Sequence, residues 1–262
     1  MKKSIIDMMS REVEFNYPPQ RIVSLVPSQT ELLYDLGLNE EVVGITKFCV
    51  HPEEWFRSKE RIGGTKKLNI EKIRALKPDL IIANKEENER EQIEELATEL
   101  PVWISDIQNI PQALQMIQVV GLLVDKEEKA NSLVDDIVAG FTALQKAATP
   151  KLVAYFIWYD PWMSIGRDTF IHNMIQTVGW QNVLADKTRY PELTLDELKA
   201  YDPELVLLSS EPYPFKEKHV QEIKAVLPNA DVRLVDGEMF SWYGSRMMKA
   251  IPYLSELVKT AQ

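Results

Sequence analysis

One cysteine, Cys49, among 262 residues excludes an internal disulfide framework. Three histidines, His51, His172 and His219, lie far apart, and none makes the i, i+4 pair of a helical zinc site, so no dedicated metal centre is expected. No apolar run approaches the ~18 residues of a membrane span, and the longest, Val119 to Val124, falls far short. Basic residues are outnumbered, 30 Lys and Arg against 40 Asp and Glu. The resulting net charge of −10 gives a nucleic-acid partner no global electrostatic support. The N-terminus has no apolar h-region: after Met1-Lys2-Lys3, charges interrupt Ile5-Ile6 and Met8-Met9, and no small-residue cleavage site follows. Read alone, that places the chain in the cytoplasm, or in the periplasm or at the cell surface if an export segment is missing.

What is present is a folding pattern. Hydrophobic residues at 45% and charged residues at 27% exclude disorder as the dominant state. Arg21 to Leu25 reads as a short buried strand. Ser28 then caps a helix bearing Glu31, Leu32, Leu33 and Leu36, with Gly37 as its stop. Strands at Glu41 to Ile45, Leu80 to Ala83 and Val102 to Ser105 alternate with helices at Ile70 to Leu76 and Glu87 to Glu99, which predicts a parallel α/β sheet. Asp125 to Ala148 contains no proline, and Ala130, Val134, Ile137, Phe141 and Leu144 fall three or four apart. One long helix of about 35 Å is expected there. Alternation resumes at Leu152 to Trp158. The expected architecture is two Rossmann-like α/β lobes, 1–124 and 149–262, bridged by a long rigid helix at 125–148.

An internal repeat supports two related halves. Leu68 to Ile82 matches Leu193 to Leu207 at a fixed offset of 125 residues. Leu68, Ala75, Pro78 and Leu80 are identical to Leu193, Ala200, Pro203 and Leu205, and most other pairs are conservative. Each unit is a helix stopped before proline and followed by a buried strand.

Loops at the carboxyl ends of parallel strands favour ligands, in the crevice between such lobes. Collected, they are Ser28, Phe48 to His51, Lys85 to Asn88, Trp158 to Trp162, Ser209 to Phe215 and Asp236 to Tyr243. Their rings suit a large planar or amphipathic ligand, although several would equally cap the core. A catalytic reading finds less. No Gly-x-Ser-x-Gly elbow surrounds Ser209 or Ser210, and Gly63 to Lys67 lacks phosphate-loop spacing. Asp160, Glu211 and Glu238 are the acid–base candidates of a cytosolic chelate-binding enzyme or carrier, the alternative to a non-catalytic binding protein.

Arg21-Ile-Val-Ser-Leu-Val-Pro-Ser-Gln-Thr-Glu-Leu32, Gly44-Ile45 and the Ala-x-x-Pro-Asp-Leu core of Leu68 to Ala83 resemble the solute-binding proteins of importers for vitamin B12, ferric siderophores and haem. The likeness spans about residues 18 to 260 and is nearest to the B12 binders. It implies no enzyme activity and no resident cofactor. It implies a metal-chelate ligand (corrinoid, siderophore or haem) and, if the chain is exported, docking to ABC transporter membrane subunits. Its ligand-binding positions, taken with the loop reading, are Ser28, Phe48, His51, Trp158, Trp162, Tyr190, Glu211, Tyr213, Phe240, Trp242, Tyr243 and Arg246. Its docking acids fall on Glu71 and Asp196, with Glu197 a substitute for the latter. Thr65 stands where the B12 binders carry a tryptophan, which removes one stacking platform. The polar, acidic Ser209 to Phe215 and Asp236 to Arg246 stretches differ from typical exported B12 binders and point to a distinct ligand or role.

Overall fold

The computed structural model describes residues 1–261, which form two compact units. The first comprises residues 1–107, 111–136 and 243–246; the second comprises 108–110, 137–242 and 247 onward.

The first unit begins with an antiparallel hairpin of β1 (Lys2–Ile6) and β2 (Glu12–Asn16). The alternation Glu-Val-Glu-Phe-Asn buries Val13 and Phe15 on one face, as a period of two requires. Then follow β3 (Ile22–Ser24), α1 (Pro27–Asp35), β4 (Val42–Ile45), α2 (Glu53–Ser58), β5 (Glu60–Arg61), α3 (Ile70–Leu76), β6 (Leu80–Asn84), α4 (Arg90–Ala97), β7 (Val102–Ser105) and α5 (Ile110–Leu123). The sheet order is β5-β4-β3-β6-β7, with every pairing parallel. β3 and β6 are buried throughout, so Ile-Val-Ser and Leu-Ile-Ile-Ala-Asn run apolar without alternation. At the edge strand β7, Met8 N–H donates to the Ile104 carbonyl at 3.1 Å and Arg11 to the Val102 carbonyl at 2.9 Å. The hairpin turn thereby caps hydrogen-bonding groups that an open edge would expose.

Helix α6 (Glu127–Ala143) follows, with the division between the units falling inside it. It is shorter at both ends than the span 125–148 expected from periodicity. Beyond its end the Ala147 amide donates to the Val178 carbonyl at 2.9 Å, a tertiary partner that replaces further helix.

The second unit contains β8 (Leu152–Trp158), β9 (Met163–Ser164), α7 (Phe170–Thr177), β10 (Gln181–Asn182), α8 (Leu195–Tyr201), β11 (Leu205–Ser209), α9 (Glu217–Val226), β12 (Asp231–Val235), α10 (Glu238–Ser241) and α11 (Met247–Thr260). Its parallel strands run in the order β10-β8-β11-β12, and β9 pairs antiparallel with β8. The parallel α/β class read from the sequence is therefore the observed one.

The repeat holds to the residue. α3 and α8 begin and end 125 residues apart, as do β6 and β11. Asn69 caps α3 by accepting from Lys72 N–H. Thr194 caps α8 by accepting from Glu197 N–H. Both helices stop at a left-handed residue, Lys77 and Asp202, each at φ 47° and each followed by proline.

Candidate ligand-binding site

In the first unit, the loops after the carboxyl ends of β3, β4 and β6 carry the expected residues. Ser28 is buried and does not cap α1. That helix begins at Pro27 after an extended Val26, which places Ser28 inside the first turn. Phe48 is 51% exposed, with the Lys47 ammonium 4.9 Å from its ring centre. The ring lies over Gly64, where an added Cβ would come within 3.0 Å of it. His51 is half-buried. Cys49 is fully buried, its sulfur 3.1 Å from Thr30 Oγ1 and 3.2 Å from Thr46 Oγ1, and burial pushes its thiol pKa up. This cysteine is structural. Thr65 is buried, and its carbonyl accepts from the Asn88 side chain at 3.1 Å, so it offers no exposed platform.

A polar network that sequence reasoning missed holds this rim in place. The Asn84 side chain donates to Ser105 O and Oγ, while its Oδ1 accepts from the Glu86 and Glu87 amides at 2.8 and 3.0 Å. Asn88 Oδ1 accepts from the Asn84 amide, and its side-chain NH2 donates to the Leu25 carbonyl; Gln29 donates to Ser105 Oγ. The available signal was asparagine ending a buried strand, since a buried amide requires partners.

Arg246, expected at the ligand, is buried. Its Nε donates to Glu31 Oε2 at 2.7 Å, and both side chains are 5% exposed. Residues 243–246 pack within the first unit. Gly244, at φ 111°, lies so close that an added Cβ would be 3.3 Å from the Ser28 carbonyl oxygen. Tyr243 is buried with this segment.

In the second unit, the loops after β8 and β11 build an aromatic cluster. Trp158 is 41% exposed and meets Tyr213 at 5.7 Å between ring centres. Tyr213 in turn meets Tyr159 at 5.7 Å and Phe215 at 4.9 Å. Trp162 lies behind, stacked on Phe215 at 5.6 Å and 15° and edge-on to Phe156 and Tyr159. It belongs to the core of this unit. Phe240 is also core, fully buried between Tyr155 at 5.1 Å and Tyr253 at 6.4 Å. Tyr190 is half-buried, with the Arg189 guanidinium 5.4 Å from its ring centre. Glu211 Oε1 accepts from Ser241 Oγ and from the Trp242 indole N–H, each at 2.8 Å. That carboxylate holds the Trp242 ring in place.

Glu71 and Asp196 occupy equivalent positions in the first turns of α3 and α8, and both are exposed. Glu71 pairs with Arg74 at 2.6 Å, and Arg74 also grips Glu95 on α4 and Glu99 just past its end. Glu197 accepts from the Thr194 amide and hydroxyl, which holds its carboxyl below the usual range and commits it to capping α8. Among the described residues, no group of three or more His, Cys, Asp or Glu side chains is placed to hold a metal ion, and no helix is long and apolar enough to cross a membrane.

Against known proteins, the periplasmic binding protein family model matches residues 22–228. The chain belongs to that family. An uncharacterized ABC transporter substrate-binding lipoprotein of Bacillus subtilis (strain 168), YvrC, is 28% identical over 97% of this chain and 85% of its own. The vitamin B12-binding protein of Pectobacterium carotovorum is 24% identical, covering 88% of this chain and 86% of its own. The apo structure of the periplasmic heme-binding protein RhuT from Roseiflexus sp. RS-1 superimposes with a TM-score of 0.77 at 22% identity, covering 92% of this chain and 98% of its own. The resemblance seen in Arg21 to Leu32 and Leu68 to Ala83 thus rests on the whole matched span. Within this family of solute-binding proteins, aromatic loops at strand ends take on a functional meaning.

Proposed function

We propose that the protein is the solute-binding component of an ABC-type importer, carrying a metal chelate of the corrinoid, haem or ferric-siderophore class. The observation that supports this reading best is the set of rings after the carboxyl ends of the second unit's sheet, Trp158, Tyr159 and Tyr213; in the first unit, taken by itself, Phe48 is exposed after β4. Rings of this kind offer broad apolar faces with polar tips, matched to a macrocycle or chelate bearing polar substituents. Trp158, Tyr213, Tyr190 and Phe48 supply stacking; His51 and Ser28 lie on the first unit's rim. Trp242, Tyr243, Arg246 and Glu211 act from behind, fixing the loops. Glu71 and Asp196, set 125 residues apart on equivalent helices, meet basic groups of the membrane subunits. The protein works outside the cytoplasmic membrane, a location supported by its periplasmic binding protein family and by a relative named as a lipoprotein. It is a carrier and not an enzyme, consistent with the engagement of Glu211 by Ser241 and Trp242.

Titration with cyanocobalamin, haemin and ferrichrome, followed by tryptophan quenching, tests this. The expected result is saturation at one equivalent by one of the three, weakened at least tenfold by Trp158→Ala. Absence of saturable quenching with all three overturns the chelate-carrier reading.

A further inference from the structure

Tyr159 and Tyr213 are neighbours in the aromatic cluster, their ring centres 5.7 Å apart, yet their hydroxyl groups have different surroundings. The negative charge of Glu222 raises the pKa of the Tyr159 phenol. Tyr213 has a different partner, His219 Nε2, at 3.2 Å.

The direction of that bond follows from the other face of the imidazole. Lys216 N–H donates to His219 Nδ1 at 2.9 Å. An amide nitrogen cannot accept, so Nδ1 bears the lone pair. In the neutral ring the proton then sits on Nε2. Nε2–H therefore donates to Tyr213 Oη, and the phenolic proton of Tyr213 must point elsewhere. Among the described residues it has no acceptor, and Tyr213 is only half-buried. The imidazole itself is held firmly. It is 1% exposed, at the third position of α9, and ringed by Tyr159, Phe215, Tyr213 and Trp162 at 4.7, 5.2, 5.4 and 6.4 Å. The charged and titratable groups around it are Lys216 just before α9, Lys218 and Glu222 of α9, and Tyr159 and Tyr213 from the loops after β8 and β11. Burial and the positive charge of Lys218 favour the neutral ring that this arrangement needs.

We infer that His219 is a positioning residue that presents the Tyr213 hydroxyl as a hydrogen-bond donor to a carbonyl or carboxylate acceptor on the ligand's periphery. The inference rests on the proposed carrier function and adds a chemical requirement to it: the chelate must place an acceptor beside the ring surface. A porphyrin carboxylate, a corrinoid amide carbonyl and a hydroxamate carbonyl all meet it.

Two readouts test this. Long-range 1H–15N correlation spectra, with the His219 signals assigned by their absence in His219→Gln, report the tautomer directly. The expected pattern is protonated Nε2 with bare Nδ1, and protonated Nδ1 overturns the inference. Affinities for haemin, cyanocobalamin and ferrichrome are then compared among wild type, Tyr213→Phe, His219→Ala and His219→Gln, with folding checked by circular dichroism. For whichever probe binds, Tyr213→Phe is expected to weaken affinity about tenfold, as for one lost hydrogen bond. His219→Gln, whose side-chain amide replaces the Nε2 donor, retains wild-type affinity; His219→Ala matches Tyr213→Phe, and the double variant is no weaker. If His219→Ala does not fold, Tyr213→Phe and the spectra still decide. Wild-type binding with an unaffected Tyr213→Phe overturns this inference and leaves the carrier function standing. A wild type that binds none of the probes overturns both.

Discussion

Arg246 Nε donates to Glu31 Oε2 at 2.7 Å across a sequence separation of 215 residues, with both side chains withdrawn from water. A buried pair of this kind contributes little net stability over an apolar pair, but removing one partner withdraws a charge-assisted bond from a charge held in low dielectric. Arg246→Met and Glu31→Gln are each expected to destabilise the protein by about 3–5 kcal/mol. Glu31→Leu combined with Arg246→Met recovers most of that loss. Urea unfolding of the three variants measures it; equal losses for the singles and the double would contradict the pairing.

The Trp242 indole depends on one carboxylate oxygen. Glu211→Ala removes the acceptor shared by the indole N–H and Ser241 Oγ, and should cost roughly 2 kcal/mol, since both bonds are charge-assisted. Glu211→Gln keeps an acceptor oxygen and should cost less. A tryptophan emission spectrum that shifts in Glu211→Ala and not in Glu211→Gln is the expected signature.

Acid should weaken the fold through two histidines. His172 and His219 both have pKa values lowered by burial in the native state. The unfolded chain, with an ordinary value of about 6.5, takes up protons first as pH falls. Their contribution is complete above that value and is lost as pH falls through the native pKa of each. Urea midpoints should hold level from neutral pH down to about 6.5 and decline below it. The decline is shallower in His219→Gln, and an unchanged pH profile in that variant would count against the assignment.

Helix α8 has a reciprocal cap, Thr194 with Glu197, whereas α3 has a single bond to Asn69. Thr194→Ala and Asn69→Ala should each lower stability by about 1 kcal/mol, the first by more because the lost hydroxyl both accepts from Glu197 N–H and donates to the Glu197 carboxylate. Differential scanning calorimetry resolves the order.

Charge reversal at Glu71 or Asp196 should leave chelate affinity untouched and abolish uptake by cells expressing the importer. Because Glu197 is occupied by its cap, Glu197→Arg should instead act through stability. An uptake defect in Glu197→Arg at wild-type stability would place the docking acid there.

The parallel sheets and the repeat were legible because they are local: apolar runs, a proline after a helix, a helix start 125 residues from its counterpart. The hairpin at the N-terminus was also written in period-two alternation, Glu12 to Asn16, but hidden among charges. The site was less legible. Trp158, Trp162 and Phe240 are alike as residue types, and only packing separates the exposed Trp158 from the buried Trp162 and Phe240. The Arg246–Glu31 pair left no trace, since nothing in the sequence relates positions so far apart.

The shared register extends one step past the strands. Asn84 and Ser209, equivalent residues at the ends of β6 and β11, each turn the chain by accepting the amide two positions on, Glu86 at 2.8 Å and Glu211 at 3.3 Å. One carries an amide and the other a hydroxyl. The two halves of the chain thus share a frame of helices and strands whose rims carry different side chains. From such a frame, new cargo specificity evolves by changing the side chains beyond the strand ends, while the helices and strands beneath keep their places.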